Sequence, residues 1–233
     1  MRNVVIVALL VVLTAGTVMA QSVQTTIPEI RTGMIPELTQ VDVIGGMAVV
    51  TAVSYNGFSC TDPAVAAYSA IWVYTGGAPA VAIGDVVDIV NGMYKEYYDL
   101  SEIDMTTFAG TVTVVGTAPV PCLSMSLATL LGDPEPWESH VINVTDGFTI
   151  TELLDHGQWI AEAYGTGLTL THDDMFFDET VLAVGDCYMC VTGMFTYSYG
   201  AFKINPLDCG LTVVDCTVGN DVMSFGDLKS NYR

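Results

Sequence analysis

Ala82-Ile83-Gly84-Asp85 followed by Gly92-Met93-Tyr94, and Ala183-Val184-Gly185-Asp186 followed by Gly193-Met194-Phe195, are the same phrase written twice. The paired glycines stand eight residues apart in both copies, and the offset between copies is 101 residues. The match extends outward at that offset, with Tyr98 answering Tyr199 and Ile103 answering Ile204. A self-match at fixed offset marks a duplicated unit, so the chain is two copies of one module.

The elements of each copy read as strands. Val41–Ser54, Ala70–Thr75, Val86–Tyr97 and Thr111–Val115 are rich in Val, Ile, Thr and aromatics, and Asn56-Gly57, Gly76-Gly77 and Gly84-Asp85 punctuate them. The second copy repeats this with Val141–Leu153, Gln158–Tyr164, Gly167–Thr171, Cys187–Ser198 and Leu211–Asp215, and Asp155-His156-Gly157 answers Tyr55-Asn56-Gly57. Helical periodicity is confined to Ser124–Leu131 and the tail. About five strands per module, with a glycine inside a long strand to let it bend, suit a small closed barrel. The fold expected is all-β, two tandem OB-fold-like five-stranded barrels. An immunoglobulin-like sandwich needs about seven strands and often a Cys…Trp…Cys arrangement, which is missing.

The expected division is residues 39–118 for the first barrel and 137–217 for the second. A Pro-rich linker, 119–136, joins them. Residues 21–38 lead in and 218–233 form a C-terminal tail. Residues 1–20 read as a signal peptide: Arg2 precedes an apolar run from Val4 to Leu13, and Val18-Met19-Ala20 precedes a cleavage point at Gln21. Secretion is the expected localisation, in a bacterial periplasm, at the cell surface or outside the cell.

Without residues 1–20 the chain carries five cations against 26 carboxylates, a net charge of −21. Phosphate binding is driven by Lys and Arg, so the charge predicts no nucleic-acid partner and no anionic membrane. It leaves a protein or a neutral glycan as partner and says nothing of oligomeric state. The chain is 51% hydrophobic, which excludes disorder.

Six cysteines in an exported chain predict disulfides. Cys60 with Cys122 is the pair expected in the first module. Cys187 and Cys190 are each expected to bond to one of Cys209 and Cys216, because strand residues three apart face opposite sides about 10 Å apart.

The run Val49–Val53, Asn56-Gly57-Phe58, Asp62-Pro63, Ile71–Gly76 and Val81–Val87 resembles the OB-fold modules that precede the catalytic domain of large bacterial extracellular endonucleases. Val184-Gly185-Asp186 through Asn205-Pro206 is similar to the second such module. The resemblance covers roughly residues 39–217 and implies a fold and a secreted setting. The nuclease domain is absent, so it implies no nuclease activity.

Phe195, Tyr197 and Tyr199 alternate along one strand and share a face, with Phe202 close by across a turn. The first module offers Trp72 and Tyr74, with Tyr94, Tyr97 and Tyr98. OB-fold faces use such rings for stacking, so Tyr197, Tyr199, Phe202, Trp72 and Tyr74 are the candidate ligand-stacking residues, against core packing as the alternative. Asp173, Asp174, Asp178 and Glu179 form a carboxylate cluster that would suit Ca²⁺, although the EF-hand spacing is absent. No other cofactor is expected. His140, His156 and His172 are scattered, and no nucleophile elbow, P-loop or dinucleotide fingerprint occurs, so no enzyme activity is expected. The tail from Met223 to Arg233 is similar to short endings of secreted bacterial proteins and reads as a sorting element or a frayed end. Together these features predict a secreted non-catalytic binding or extracellular-structure protein, with an accessory module of a separate nuclease or hydrolase system as the alternative.

Overall fold

A computed structural model of the chain describes residues 21–176 and 182–214, with side chains through residue 207. The signal peptide, the tail from residue 215 onward and Asp178 and Glu179 lie outside the described residues.

Two all-β bodies follow one another. The first contains β1 (Val23–Gln24), α1 (Ile27–Arg31), β2 (Gln40–Val43), β3 (Val49–Ser54), β4 (Gly57–Thr61), β5 (Ala70–Tyr74), β6 (Asp85–Tyr97), β7 (Leu100–Asp104) and β8 (Thr111–Thr117). The second contains β9 (Leu123–Met125), α2 (Leu127–Gly132), a 3₁₀ turn over Glu135–Trp137, β10 (Val141–Val144), β11 (Phe148–Leu153), β12 (Gln158–Ala163), β13 (Thr169–Asp173), β14 (Cys187–Ser198) and β15 (Ala201–Val214).

The first body closes on itself. β3 pairs with β4, β4 with β5, β5 with β7 in parallel, β7 with β6, and β6 returns to β3. In the second body β11, β12, β13, β15 and β14 make the same circuit, again with one parallel pair, β13–β15. A five-strand Greek-key circuit of this kind is the OB arrangement. Both barrels are filled by apolar side chains, around Phe58, Ile71 and Ile103 in the first and Phe148, Trp159 and Phe195 in the second.

The registers show the duplication residue by residue. Val41 opposes Gly92 as Ile142 opposes Gly193, and Tyr94 opposes Ile103 as Phe195 opposes Ile204. Gly84 and Gly185 sit at φ 91° and 98° in the same turn, where Asp85 and Asp186 each accept from a backbone N–H three residues back, Ala82 and Ala183. Gly92 and Gly193 mark the bend of the long strands. A Cβ on Gly92 would lie 2.2 Å from Ile103, and one on Gly193 would lie 2.4 Å from the Asn205 carbonyl. No other residue fits there.

The repeat reaches further back than the glycine motif indicates. Thr26 caps α1 and Ser126 caps α2, and Ile27 and Ile30 enter the first core as Leu127 and Leu130 enter the second. β1 runs parallel to β2 as β9 runs parallel to β10. The stretches that read as a lead-in and a linker are thus the opening elements of the two copies. The capping residues Thr26 and Ser126, 100 residues apart, are the sequence signal for this.

Two disulfide expectations are corrected. Cys60 and Cys122 are free thiols: Cys60 is buried in β4, its S–H directed at the Ile71 carbonyl, and Cys122 is exposed before β9. Cys190 is also free and exposed, while Cys187 is disulfide-bonded. The split follows burial: Cys187 is buried beside the core residue Tyr188 at the start of β14, and Cys190 is exposed where the β14–β15 register shifts between Tyr188 and Val191. Cys209 and Cys216 lie outside the described side chains.

The two barrels pack against each other. Ala52 and Trp72 of the first meet Val141 and Met194 of the second in a small apolar cluster. Beside it Arg31 of α1 is buried between Glu135 and Glu138. Its Nη1 donates to Glu138, and its Nη2 donates to the Glu135 carbonyl at 2.8 Å. Glu138 also accepts from the Ser101 N–H at 3.2 Å, which joins the start of the second barrel to β7 of the first.

Candidate functional site

The hairpin β6–β7 turns at Tyr98-Asp99, and the hairpin β14–β15 turns at Tyr199-Gly200. Both residues of each turn have positive φ: 52° and 66° in the first, 51° and 83° in the second. Two-residue hairpin turns of this type favour Asn-Gly, because a side chain at positive φ is strained. A tyrosine at the first position of both turns is therefore costly to local stability. Strain of this kind collects at functional sites.

The two turns face one another across a cleft of about 630 Å³, lined by Tyr97, Tyr98, Leu100, Tyr197 and Tyr199. Tyr98 is 77% exposed and Tyr199 94%. Tyr97 and Tyr98 meet edge to face at 4.8 Å between ring centres. In the OB fold this connection, between the fourth and fifth strands, is one of the loops that hold ligands.

A second space of about 430 Å³ shares Tyr97 and Leu100 with the cleft. Its walls come from both barrels: Trp72, Tyr74 and Asn56 of the first and Met175, Met194 and Thr196 of the second. Gly57 makes this possible, since a Cβ there would lie 2.6 Å from the Trp72 ring. Lys95 stands in this space with its Nζ 2.9 Å from Glu102 and 2.8 Å from Asp104, and 5.8 and 5.3 Å from the ring centres of Tyr74 and Tyr97. Burial raises the Glu102 carboxyl above its ordinary value. Asp104 is held low, at about 2: hydrogen bonds from Lys95 and Thr106 outweigh a desolvation that works the other way.

The sequence-predicted stacking residues divide. Tyr197 and Tyr199 line the tyrosine cleft, and Trp72 and Tyr74 the second space. Phe202 does not line the cleft: it stacks on Phe195 at 5.2 Å, meets Tyr197 edge to face at 4.9 Å and packs against the core of the second barrel. Tyr97 and Tyr98 were legible as aromatics but not as the partner wall, because nothing in the sequence aims one hairpin at the other.

The carboxylate cluster is not assembled among its described members. Asp173 pairs with Lys203 at 3.5 Å, and Asp174 packs against Gly157. Among the described residues no group of three or more His, Cys, Asp or Glu could hold a metal ion. His172 is buried, its Nε2 2.8 Å from the Tyr188 hydroxyl and its ring 5.1 Å from Trp159; burial lowers its pKa to about 3, so it is a neutral core residue.

No family model and no curated protein matches the chain. Among solved structures, a murine DNA-binding protein bound to double-stranded DNA is similar over 75% of this chain and 95% of its own, at 12% identity and a TM-score of 0.35. The p202 HIN1 domain in complex with 12-mer double-stranded DNA covers 76% and 94%, at 8% and 0.34. Fission yeast Pot1 with single-stranded DNA covers 88% and 91%, at 11% and 0.33. These are similarities of architecture. They correct the exclusion drawn from charge: these three proteins are described with DNA. The expectation of no nucleic-acid partner is withdrawn, and with it the function that was built on that expectation.

Proposed function

We propose that the chain is a binding protein that stacks unpaired nucleobases in the cleft between its two tyrosine hairpins. One observation carries this reading. Equivalent turns of two duplicated barrels hold Tyr98 and Tyr199 at strained, exposed positions on opposite sides of one cleft. Ring-on-ring stacking contributes about 1–3 kcal/mol per base and does not depend on sequence. The three cations among the described residues, Arg31, Lys95 and Lys203, are all paired with carboxylates, so ring faces rather than phosphates supply the affinity. The resemblance to modules that accompany an extracellular nuclease is in keeping with this ligand class, and export through residues 1–20 belongs to the same proposal.

The test is fluorescence polarisation of a labelled single-stranded hexamer with the chain beginning at Gln21, compared with the Tyr98→Ala/Tyr199→Ala double variant. Binding that drops at least tenfold in the variant supports the reading. Equal binding by the two proteins, or none by either, overturns it.

A further inference from the structure

A side chain as exposed as Tyr199 ordinarily turns about its bonds within nanoseconds, and ordering it when a ligand arrives costs affinity. Here an ammonium group stands behind the ring. Lys203 is buried on β15, pairs with Asp173 at 3.5 Å and holds its Nζ 5.2 Å from the centre of the Tyr199 ring. The other hairpin has the same support. Lys95, fixed by Glu102 and Asp104, holds its Nζ 5.3 Å from the ring of Tyr97, and Tyr98 packs on Tyr97 edge to face. Both distances are within the reach of a cation–π contact, about 6 Å. Tyr97 and Tyr199 line the cleft and neither lysine does, so the ammonium groups leave free the space a stacked base would fill.

Duplication alone does not account for this pairing. At the 101-residue offset Lys95 answers Thr196 and Glu102 answers Lys203. Lys95 opposes Glu102 across its hairpin, and Thr196 opposes Lys203 across the other. The lysine thus comes from the first strand of one hairpin and from the second strand of the other, and in both it ends beside a cleft tyrosine. These are the two lysines among the described residues.

We propose that Lys95 and Lys203 are positioning residues of the cleft, each ammonium holding a tyrosine ring in the orientation that receives a base. Binding then does not have to order the ring. The inference rests on the stacking reading of the cleft, and its test separates the two.

A labelled deoxythymidine hexamer is titrated against the chain beginning at Gln21 in 0.5 M salt, which screens direct attraction between Lys203 and phosphates. Lys203→Met is made together with Asp173→Asn, so that no carboxylate is left without its partner, and Asp173→Asn alone is the reference. The loss expected is about two- to tenfold, the effect of leaving one side chain to be ordered on binding. Lys203→Arg should bind like the parent chain, because a guanidinium also stacks on an aromatic face. With Tyr199→Ala added, Lys203→Met should have no further effect. An independent readout needs no change at Lys203: in the free chain the ring current of Tyr199 should shift the Lys203 ε-methylene protons upfield, and Tyr199→Ala should return them to ordinary values. Absence of that upfield shift, an unchanged affinity in Lys203→Met, a failure of Lys203→Arg to bind like the parent, or a loss that persists without the Tyr199 ring overturns the positioning role; if Tyr199→Ala still weakens the hexamer, stacking stands. Absence of binding, or no effect of Tyr199→Ala, overturns both.

Discussion

Tyr98 and Tyr199 occupy the same corner of two hairpins 101 residues apart, at φ 52° and 51°, and their rings line one cleft. Neither ring supports its own barrel, since both are largely exposed. Their conservative replacement should therefore separate stability from binding. Tyr98→Asn is expected to raise stability by about 0.5–1 kcal/mol, because Asn tolerates this backbone better, and to weaken a stacked base by about five- to 150-fold. Urea denaturation and hexamer titration check the two halves. A loss of stability would show that the ring is held by contacts.

Salt should have little effect on the complex. With every described cation already paired, few counterions are released on binding. The expected plot of log affinity against log salt is flat or slightly rising between 0.05 and 0.5 M. A slope steeper than about −1.4, the release expected for two phosphate contacts on a single strand, would place the ligand's backbone on cations not seen in this site.

The bends at Gly92 and Gly193 should tolerate no side chain. Gly193→Ala drives a Cβ to 2.4 Å from the backbone of Asn205, which cannot rotate away. A loss of about 1–3 kcal/mol is expected, as for an overpacked core. Gly92→Ala meets the Ile103 side chain, which has some freedom, and should lose less. Denaturant midpoints of both variants rank the two sites.

What the sequence made legible follows from these contacts. The glycine bends and the Gly-Asp turns need particular residues at particular φ, so they survive as a visible offset. β7 escaped detection because Glu102 and Asp104 make Leu100–Asp104 read as a loop. Within the strand both carboxylates are met by Lys95 on the neighbouring strand. The Arg31–Glu138 contact joins residues 107 apart, and nothing local announces it. The Cys60–Cys122 pairing failed because an even cysteine count carries no information about direction, and Cys60 points into the barrel.

Glu138 and two histidines should tilt the pH dependence of folding in opposite senses. Burial raises the Glu138 carboxyl to about 7, so the folded chain keeps a proton that the unfolded chain releases near 4.5. Its contribution is complete below about pH 4.5 and is lost as pH rises to about 7. Burial lowers His140 to about 4 and His172 to about 3, so theirs is complete above about pH 6.5 and is lost as pH falls towards those values. Glu138→Gln removes the first effect alone. Its stability should climb more steeply than that of the parent between pH 5 and 7, read by urea denaturation. Equal slopes would mean that Glu138 is ionised throughout.

Thiol accessibility should follow burial. Iodoacetamide followed by peptide mapping is expected to label Cys122 and Cys190 in the native chain and Cys60 only in denaturant. Native labelling of Cys60 would mean that β4 opens readily.

Because the cleft has one wall from each copy, duplication here yields half-sites that complete each other, and not two independent binding sites. The stoichiometry that follows is one ligand per chain. A chain cut between the barrels would present two lone hairpins with no enclosed space between them, so neither fragment should titrate at half strength. The two copies are also tied in how they can drift: a change in either turn alters the aperture that both define. A ligand seated there would meet tyrosines approaching from opposite barrels.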